Sequence, residues 1–381
     1  MTQLRHTHWT FIDTPEAFER MLAALQRASV IAVDTEANGL FAYRERVTLI
    51  QLSTLDHDYI VDPLAPLPLV KLASLFDNPD IEKVFHAAEY DLIGLQRDFG
   101  FHVYPLFDTQ HAARLLGKPR VGLAALLETY FGVRVDKRYQ RADWGQRPLP
   151  PELLAYARLD THFLIPLRDR LEKELHRRNV WDLAQEDFVR LTQVRLPRRT
   201  FSPDGMWHLP GAYALPPRSL AVLAALYRWR EEEAQRRDVP PFKIMSNAEL
   251  VTLARVVPRT LTELRRVVRS RVVTHSDTAR ALMALIRQAQ NHTPPSPPAH
   301  PTPPPAAYRE RVERLQTWRQ RTAREMGVAS DVILPKKAML AIARANPHTL
   351  AELEALGVLG PARLRRYGKA LLRVLHGEKA G

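Results

Sequence analysis

The chain has 381 residues, 45% of them hydrophobic and 25% charged, with a formal net charge of +13 and no cysteine. These proportions are ordinary for globular protein, and the length suits two or three domains rather than one. The missing cysteines exclude a disulfide scaffold and any thiolate metal site, and no run approaches the roughly 18 apolar residues of a transmembrane helix.

The opening "MTQLRHTHWTFIDT" lacks the apolar stretch of a secretory signal, so a cytoplasmic protein with no membrane partner is expected. The charge is unevenly placed. Residues 1–200 carry a net −1 and residues 201–381 a net +14. Such asymmetry points to a near-neutral working half joined to a basic half that meets a polyanion.

In chain order, "SVIAVDT" (29–35), "RVTLIQLS" (46–53) and "DYIVD" (58–62) read as three consecutive strands of a meander. "EKVFHAAEYDLIGLQRDFG" (82–100) reads as a short strand running into a helix, with Asp91 in mid-helix on the apolar side beside Ala87, Ala88 and Leu95. "VGLAALLETYFG" (121–132) is apolar at helical spacing and stops at a glycine. "RPLPPELLAYARLDTHFLIPLRDRLEKEL" (147–175) is one long helical pattern opened by Pro150 and Pro151, with a kink expected at Pro166. Strands followed by strand–helix units predict a mixed sheet with helices packed on it over residues 1–200.

Residues 201–213 read as a connection, and beyond them no strand pattern stands out. Instead, residues 229–264 recur at 318–353 with a constant shift of 89. Trp229, Val239, Ile244, Ala254, Pro258, Leu261 and Leu264 fall on Trp318, Val328, Ile333, Ala343, Pro347, Leu350 and Leu353. One helical module is therefore expected twice, at 214–290 and 308–378, with the paired tryptophans in the cores. The proline-rich stretch 291–307 is the semi-rigid spacer between them.

Acid is concentrated where apolar residues belong. Asp34 and Glu36 end the first strand two residues apart and so share a face. Like charges placed together repel unless something positive sits between them. Asp91 and Asp160 also fall on apolar helix faces, Asp160 at helical spacing from Leu153, Leu154, Tyr156 and Ala157. Buried carboxylates need a partner or a metal, and oxygen-only ligands favour Mg²⁺ or Mn²⁺. Two such ions roughly 4 Å apart would clamp a phosphodiester. Tyr156 stands one helical turn before Asp160. With a reference pKa near 10 it suits positioning a water better than taking its proton.

The spacing D-T-E, then H-x-x-x-x-D, then Y-x-x-x-D resembles the DEDD superfamily of 3′→5′ exonucleases in its tyrosine subtype. The histidine subtype would place His where Ala155 stands. "KVFHAAEYDL", "LFDTQHAARLLG", "LAALLETYFGVRVDK" and "ADWGQRPLPPELLAYARLD" resemble ribonuclease D throughout. The two repeats resemble helicase-and-RNase-D C-terminal (HRDC) domains. The resemblance implies an α/β ribonuclease H-like exonuclease domain (1–200), a mixed sheet with flanking helices, followed by two small all-α HRDC domains. It implies that Asp34, Glu36 and Asp160 hold the first of two divalent cations, with Asp34 also touching the second and Asp91 acting there through water. Tyr156 would orient the attacking water. The implied activity is stepwise removal of 3′ nucleotides from RNA as 5′-monophosphates, with precursor tRNA 3′ trailers as the usual substrate class. The polar stretch after the acids, in "DTEANGLFAYRERVTLIQLS", is longer than in the commonest bacterial versions and bears on substrate preference.

Several readings stay open at this level. His86 can contact substrate or serve as a hydrogen-bonded structural residue. Trp144 can pack under the site or stack on a base. Arg265, Arg266, Arg269 and Arg271 form either a phosphate contact or a solvated face. A DNA exonuclease and a nucleic-acid-binding scaffold with a silent nuclease domain are the competing functions. The oligomeric state is not encoded in any motif.

Overall fold

The computed structural model describes residues 8–193, 196, 201–268, 276–298 and 303–378. Six strands form one mixed sheet: β1 (His8–Ile12), β2 (Val30–Ala37), β3 (Val47–Ser53), β4 (His57–Val61), β5 (Glu82–Phe85) and β6 (Leu106–Asp108). Their order is β1-β4-β3-β2-β5-β6. The middle strands are neighbours, as a meander requires, with β3 antiparallel to β4 and Ile50 opposite Val61. Strand β1 runs parallel to β4, and β2, β5 and β6 run parallel to one another. Every residue of β3 is buried, as expected for a central strand covered on both faces. Strands β1 and β6 have no counterpart in the sequence reading. One is a half-exposed edge and the other is three residues long, so neither shows a clean period of two.

Around the sheet lie α1 (Pro15–Leu25), α2 (Ala73–Phe76), α3 (Glu89–Phe99), α4 (Thr109–Leu115), α5 (Leu123–Phe131), α6 (Pro151–His162), α7 (Leu164–Arg177) and α8 (Trp181–Thr192). Phe18, Phe76, Phe85 and Phe107 fill the core between sheet and helices. Two expectations are corrected here. The long pattern 147–175 is two helices, broken at Phe163 (φ −101°, ψ 0°) rather than kinked at Pro166. Pro166 sits in the first turn of α7, where a missing N–H costs no intrahelical bond. Asp91 lies in the first turn of α3, not mid-helix. Ala87 adopts a left-handed conformation (φ 62°) that turns the chain before the helix begins, a reversal to which helical periodicity is blind.

The chain forms two compact units. One holds residues up to 36, 47–196 and 303 onward; the other holds 37–46 and 197–302.

In the second unit, α9 (Pro217–Arg237), α10 (Pro241–Ile244), α11 (Asn247–Val256), α12 (Leu261–Val267) and α13 (Ser276–Ala289) surround a core of Leu223, Leu226, Leu253 and Ile286. Residues 201–213 are not a bare connection. A 3₁₀ turn over Pro203–His208 buries Met206 and Trp207 in that core, and a second over Ala212–Ala214 adds Ala212. Segment 37–46 joins this unit: the Tyr43 hydroxyl donates to Glu231 at 2.7 Å, and the Lys243 ammonium lies 4.0 Å from the Phe41 ring centre.

In the first unit, α14 (Ala306–Met326), α15 (Ser330–Ile333), α16 (Lys336–Ala345), α17 (Leu350–Ala355) and α18 (Pro361–Leu375) repeat the helical module. The first four of these begin 89 residues after α9 to α12, the shift read in the sequence. Trp318 is buried in the core of this module, and Trp229 is half-buried against that of the other. Val332 and Ala362 of this module belong to the same apolar cluster as the sheet. Arg269, Arg271 and spacer residues 299–302 lie outside the described residues.

Candidate active site

Strand alternation places Asp34 and Glu36 on one face at the end of β2. Helix α6 brings Asp160 to them: single carboxylate oxygens of Asp34, Glu36 and Asp160 all lie within 4.8 Å of one another. Asp91 joins from the start of α3. Its Oδ1 accepts the Thr35 backbone N–H at 3.1 Å and the Thr35 hydroxyl at 2.5 Å. The residue between the two strand acids therefore holds the third acid in place. Three of the four sequence-derived carboxylates thus meet, and Asp91 stands beside them on Thr35.

Helix α6 is seated from two sides. Leu153, Tyr156 and Ala157 pack with Leu49, Ile60 and Trp144. Farther along, Thr161 and Ser53 share a buried hydroxyl hydrogen bond of 2.7 Å. Asp58 of β4, only 1% exposed, accepts from Arg158 Nε at 2.5 Å and His162 Nδ1 at 2.9 Å. Arg158 and His162 flank Asp160 in sequence, so this clamp fixes the rotation of the helix that carries it. Sequence reasoning missed Asp58, Arg158 and His162. The i,i+4 pair was visible, but its partner on β4 appears only once strand and helix are packed.

Tyr156 is buried, with ring centres of Tyr139 and Trp144 at 5.8 Å and 6.1 Å, and Gln140 lines the same pocket. Trp144, 1% exposed, is a packing residue beneath Tyr156. The segment bearing Gln140 and Trp144 is tied down by Arg147, which makes two 2.7 Å bonds to the Asp62 carboxylate and one to the Thr48 carbonyl.

Asp34, Glu36, Tyr156 and Asp160 line a pocket of about 660 Å³, with Gly122 and Leu123 at the start of α5 in its wall and His86 beside them. Burial, followed by mutual repulsion, pushes the acids upward. Glu36 rises to about 9 and Asp160 to about 7; Asp34 is raised well above its usual range. Asp91 rises to about 7 through burial, although its bonds from Thr35 oppose the shift. Tyr156 is pushed up by burial and by the nearby Asp160, Glu36 and Asp34.

A 3′-5′ exonuclease family model matches residues 9–176, and the HRDC domain model matches 219–286 and 309–375. The catalytic core of RRP6 from Trypanosoma brucei superposes with a TM-score of 0.67 at 30% identity, covering 75% of this chain and 81% of that one. The chain belongs to the ribonuclease D/RRP6 family of 3′–5′ exonucleases. Escherichia coli RNase D, described as an exoribonuclease involved in structured RNA processing, superposes with a TM-score of 0.68 at 25% identity over 98% of this chain and 100% of that chain. The exosome complex exonuclease RRP6 of Saccharomyces cerevisiae is 38% identical over 264 residues, 65% of this chain but only 36% of that protein. The chain thus spans well under two thirds of the curated relatives' length.

Proposed function

We propose that the protein is a metal-dependent exoribonuclease that removes nucleotides one at a time from RNA 3′ ends as 5′-monophosphates, acting in tRNA 3′ maturation. The observation that carries this reading is the meeting of Asp34, Glu36 and Asp160 within 4.8 Å, with Asp91 latched to Thr35 beside them. The donor set fits hard divalent cations: it is all oxygen, and burial first and mutual repulsion second raise the pKa values of its acids, a cost that a bound cation would offset. Asp34, Glu36 and Asp160 would hold one Mg²⁺ or Mn²⁺, and Asp34 with Asp91 a second. When bound, such ions offset charge on the scissile phosphodiester and acidify a water.

The chain's own groups do the rest. Tyr156 stays protonated, so its hydroxyl donates a hydrogen bond and orients the nucleophile instead of taking its proton. Tyr139 and Trp144 pack against the ring and restrict where that hydroxyl can point. The Asp58 clamp keeps Tyr156 and Asp160 in fixed register on α6. The RNA substrate is supported by the ribonuclease relatives.

The test is degradation of matched single-stranded RNA and DNA oligonucleotides with Mg²⁺ or Mn²⁺, with released products identified by chromatography. RNA should shorten from its 3′ end, releasing 5′-mononucleotides at least tenfold faster than DNA. Equal rates would overturn the RNA assignment. Tight binding without turnover would make the protein a silent scaffold.

A further inference from the structure

His86 follows the last residue of β5, and its ring lines the catalytic pocket. Its Nδ1 lies 2.9 Å from Thr109 Oγ1, and that same hydroxyl donates to the Phe85 carbonyl at 2.9 Å. A hydroxyl has a single hydrogen. Thr109 has already given its own, so it accepts from His86. Nδ1 therefore carries the ring proton and Nε2 carries a bare lone pair. Nε2 is buried and has no hydrogen-bond partner among the described residues. Burial drives the imidazole pKa down to about 4; His111 adds to the shift and Asp108 opposes it, so the ring is neutral at physiological pH.

A neutral, unpartnered acceptor on a ring that lines this pocket selects for a donor. Phosphate oxygens offer none. Base amino groups differ between nucleotides, and an enzyme that trims stepwise meets every base. Ribose hydroxyls are the donors common to all RNA nucleotides, and the 2′-hydroxyl is absent from DNA.

We propose that His86 Nε2 accepts a hydrogen bond from a ribose hydroxyl of the 3′-terminal nucleotide, which makes His86 a specificity-determining residue for the sugar of that end. This rests on the exoribonuclease reading above.

The test uses the full chain with Mg²⁺ or Mn²⁺ and 5′-labelled RNAs ending in ribose, 2′-deoxyribose or 3′-deoxyribose. Single-turnover removal of the last nucleotide is timed for wild type, His86→Asn and His86→Gln. Asn keeps an amide N–H near the Nδ1 position for Thr109 but lacks an acceptor at Nε2. Gln carries an amide to about that place. Wild type should remove at least one of the two deoxy ends about tenfold more slowly than the ribose end, the scale of one buried acceptor left unpaired. In His86→Asn that penalty should vanish because the ribose rate falls to meet it, and His86→Gln should recover part of it. Penalties that persist unchanged in His86→Asn would overturn the assignment. So would equal slowing of all three substrates, which would place the acceptor on a water instead. Wild type that degrades RNA without either penalty would also refute it. Wild type that degrades no RNA would instead sink the exoribonuclease reading, and this assignment with it.

Discussion

At the residue scale, the acids of the site carry a testable electrostatic signature. Raised carboxyl pKa values mean that the folded protein, without cations, binds protons the unfolded chain has already released. Stability contributed by those protons is present below the ordinary carboxyl range and is lost as pH rises through about 7 for Asp91 and Asp160 and about 9 for Glu36. In EDTA the melting temperature should therefore fall between pH 5 and pH 8. Added Mg²⁺ or Mn²⁺ should raise it more at pH 8 than at pH 5. Asp160→Asn should flatten the slope, since it removes one of the crowded charges. Differential scanning calorimetry reads all three effects, and a metal-free melting temperature that climbs through this window would contradict the account. Much of this site is legible in the sequence. Asp34 and Glu36 share a face by strand alternation, and Tyr156 and Asp160 share one by helical spacing. Asp91 was recognisable as an acid in an apolar segment, but its place at the helix start depends on the turn at Ala87. The Asp58 clamp depends on a contact 100 residues long in sequence, which no local pattern records.

At the scale of elements, the repeat is the clearest feature of the sequence, because its matched apolar positions sit on helices of matched start. Less legible is what the second copy does. Its α18 places Arg363, 3% exposed, between Glu186 (2.8 Å) and Asp187 (2.9 Å) of α8, with the Val332 carbonyl at 2.8 Å. Arg366 reaches Asp182 at 2.6 Å, and Arg114 of α4 pairs with Asp331. All join a helical module to the exonuclease fold; those of Arg363 are buried, and those of Arg366 and Arg114 are exposed. Removing one partner of a buried pair leaves the other charged in a desolvated place. Arg363→Ala is expected to cost about 3 kcal/mol, at the low end for a broken buried pair because Asp187 retains Arg190 at 2.8 Å. Urea unfolding measures it, and a change below about 0.5 kcal/mol would show that the pairs add no net stability. Where the helices break was the other limit of sequence reading. Pro166 looked like the breaker, yet the chain uses it inside the first turn of α7 and breaks at Phe163, which has no breaker signature.

At the scale of the whole molecule, the charge asymmetry of the sequence points to a basic half suited to a polyanion. The structure divides that charge. Arg363 and Arg366 serve internal ion pairs within the first unit, so the net +14 of residues 201–381 overstates the charge open to phosphate. Arg265 and Arg266, in the last turn of α12, are exposed. The central claim remains the acidic site and its chemistry. Its most direct test is a 5′-labelled single-stranded RNA with a short 3′ trailer, incubated with wild type or Asp160→Asn in Mg²⁺, Mn²⁺ or EDTA and resolved at single-nucleotide steps. The expected result is a ladder that shortens from the 3′ end with metal, is absent in EDTA, and falls at least a thousandfold in rate with Asp160→Asn while the fold is retained. A ladder of wild-type rate from Asp160→Asn, or one that forms in EDTA, would contradict it.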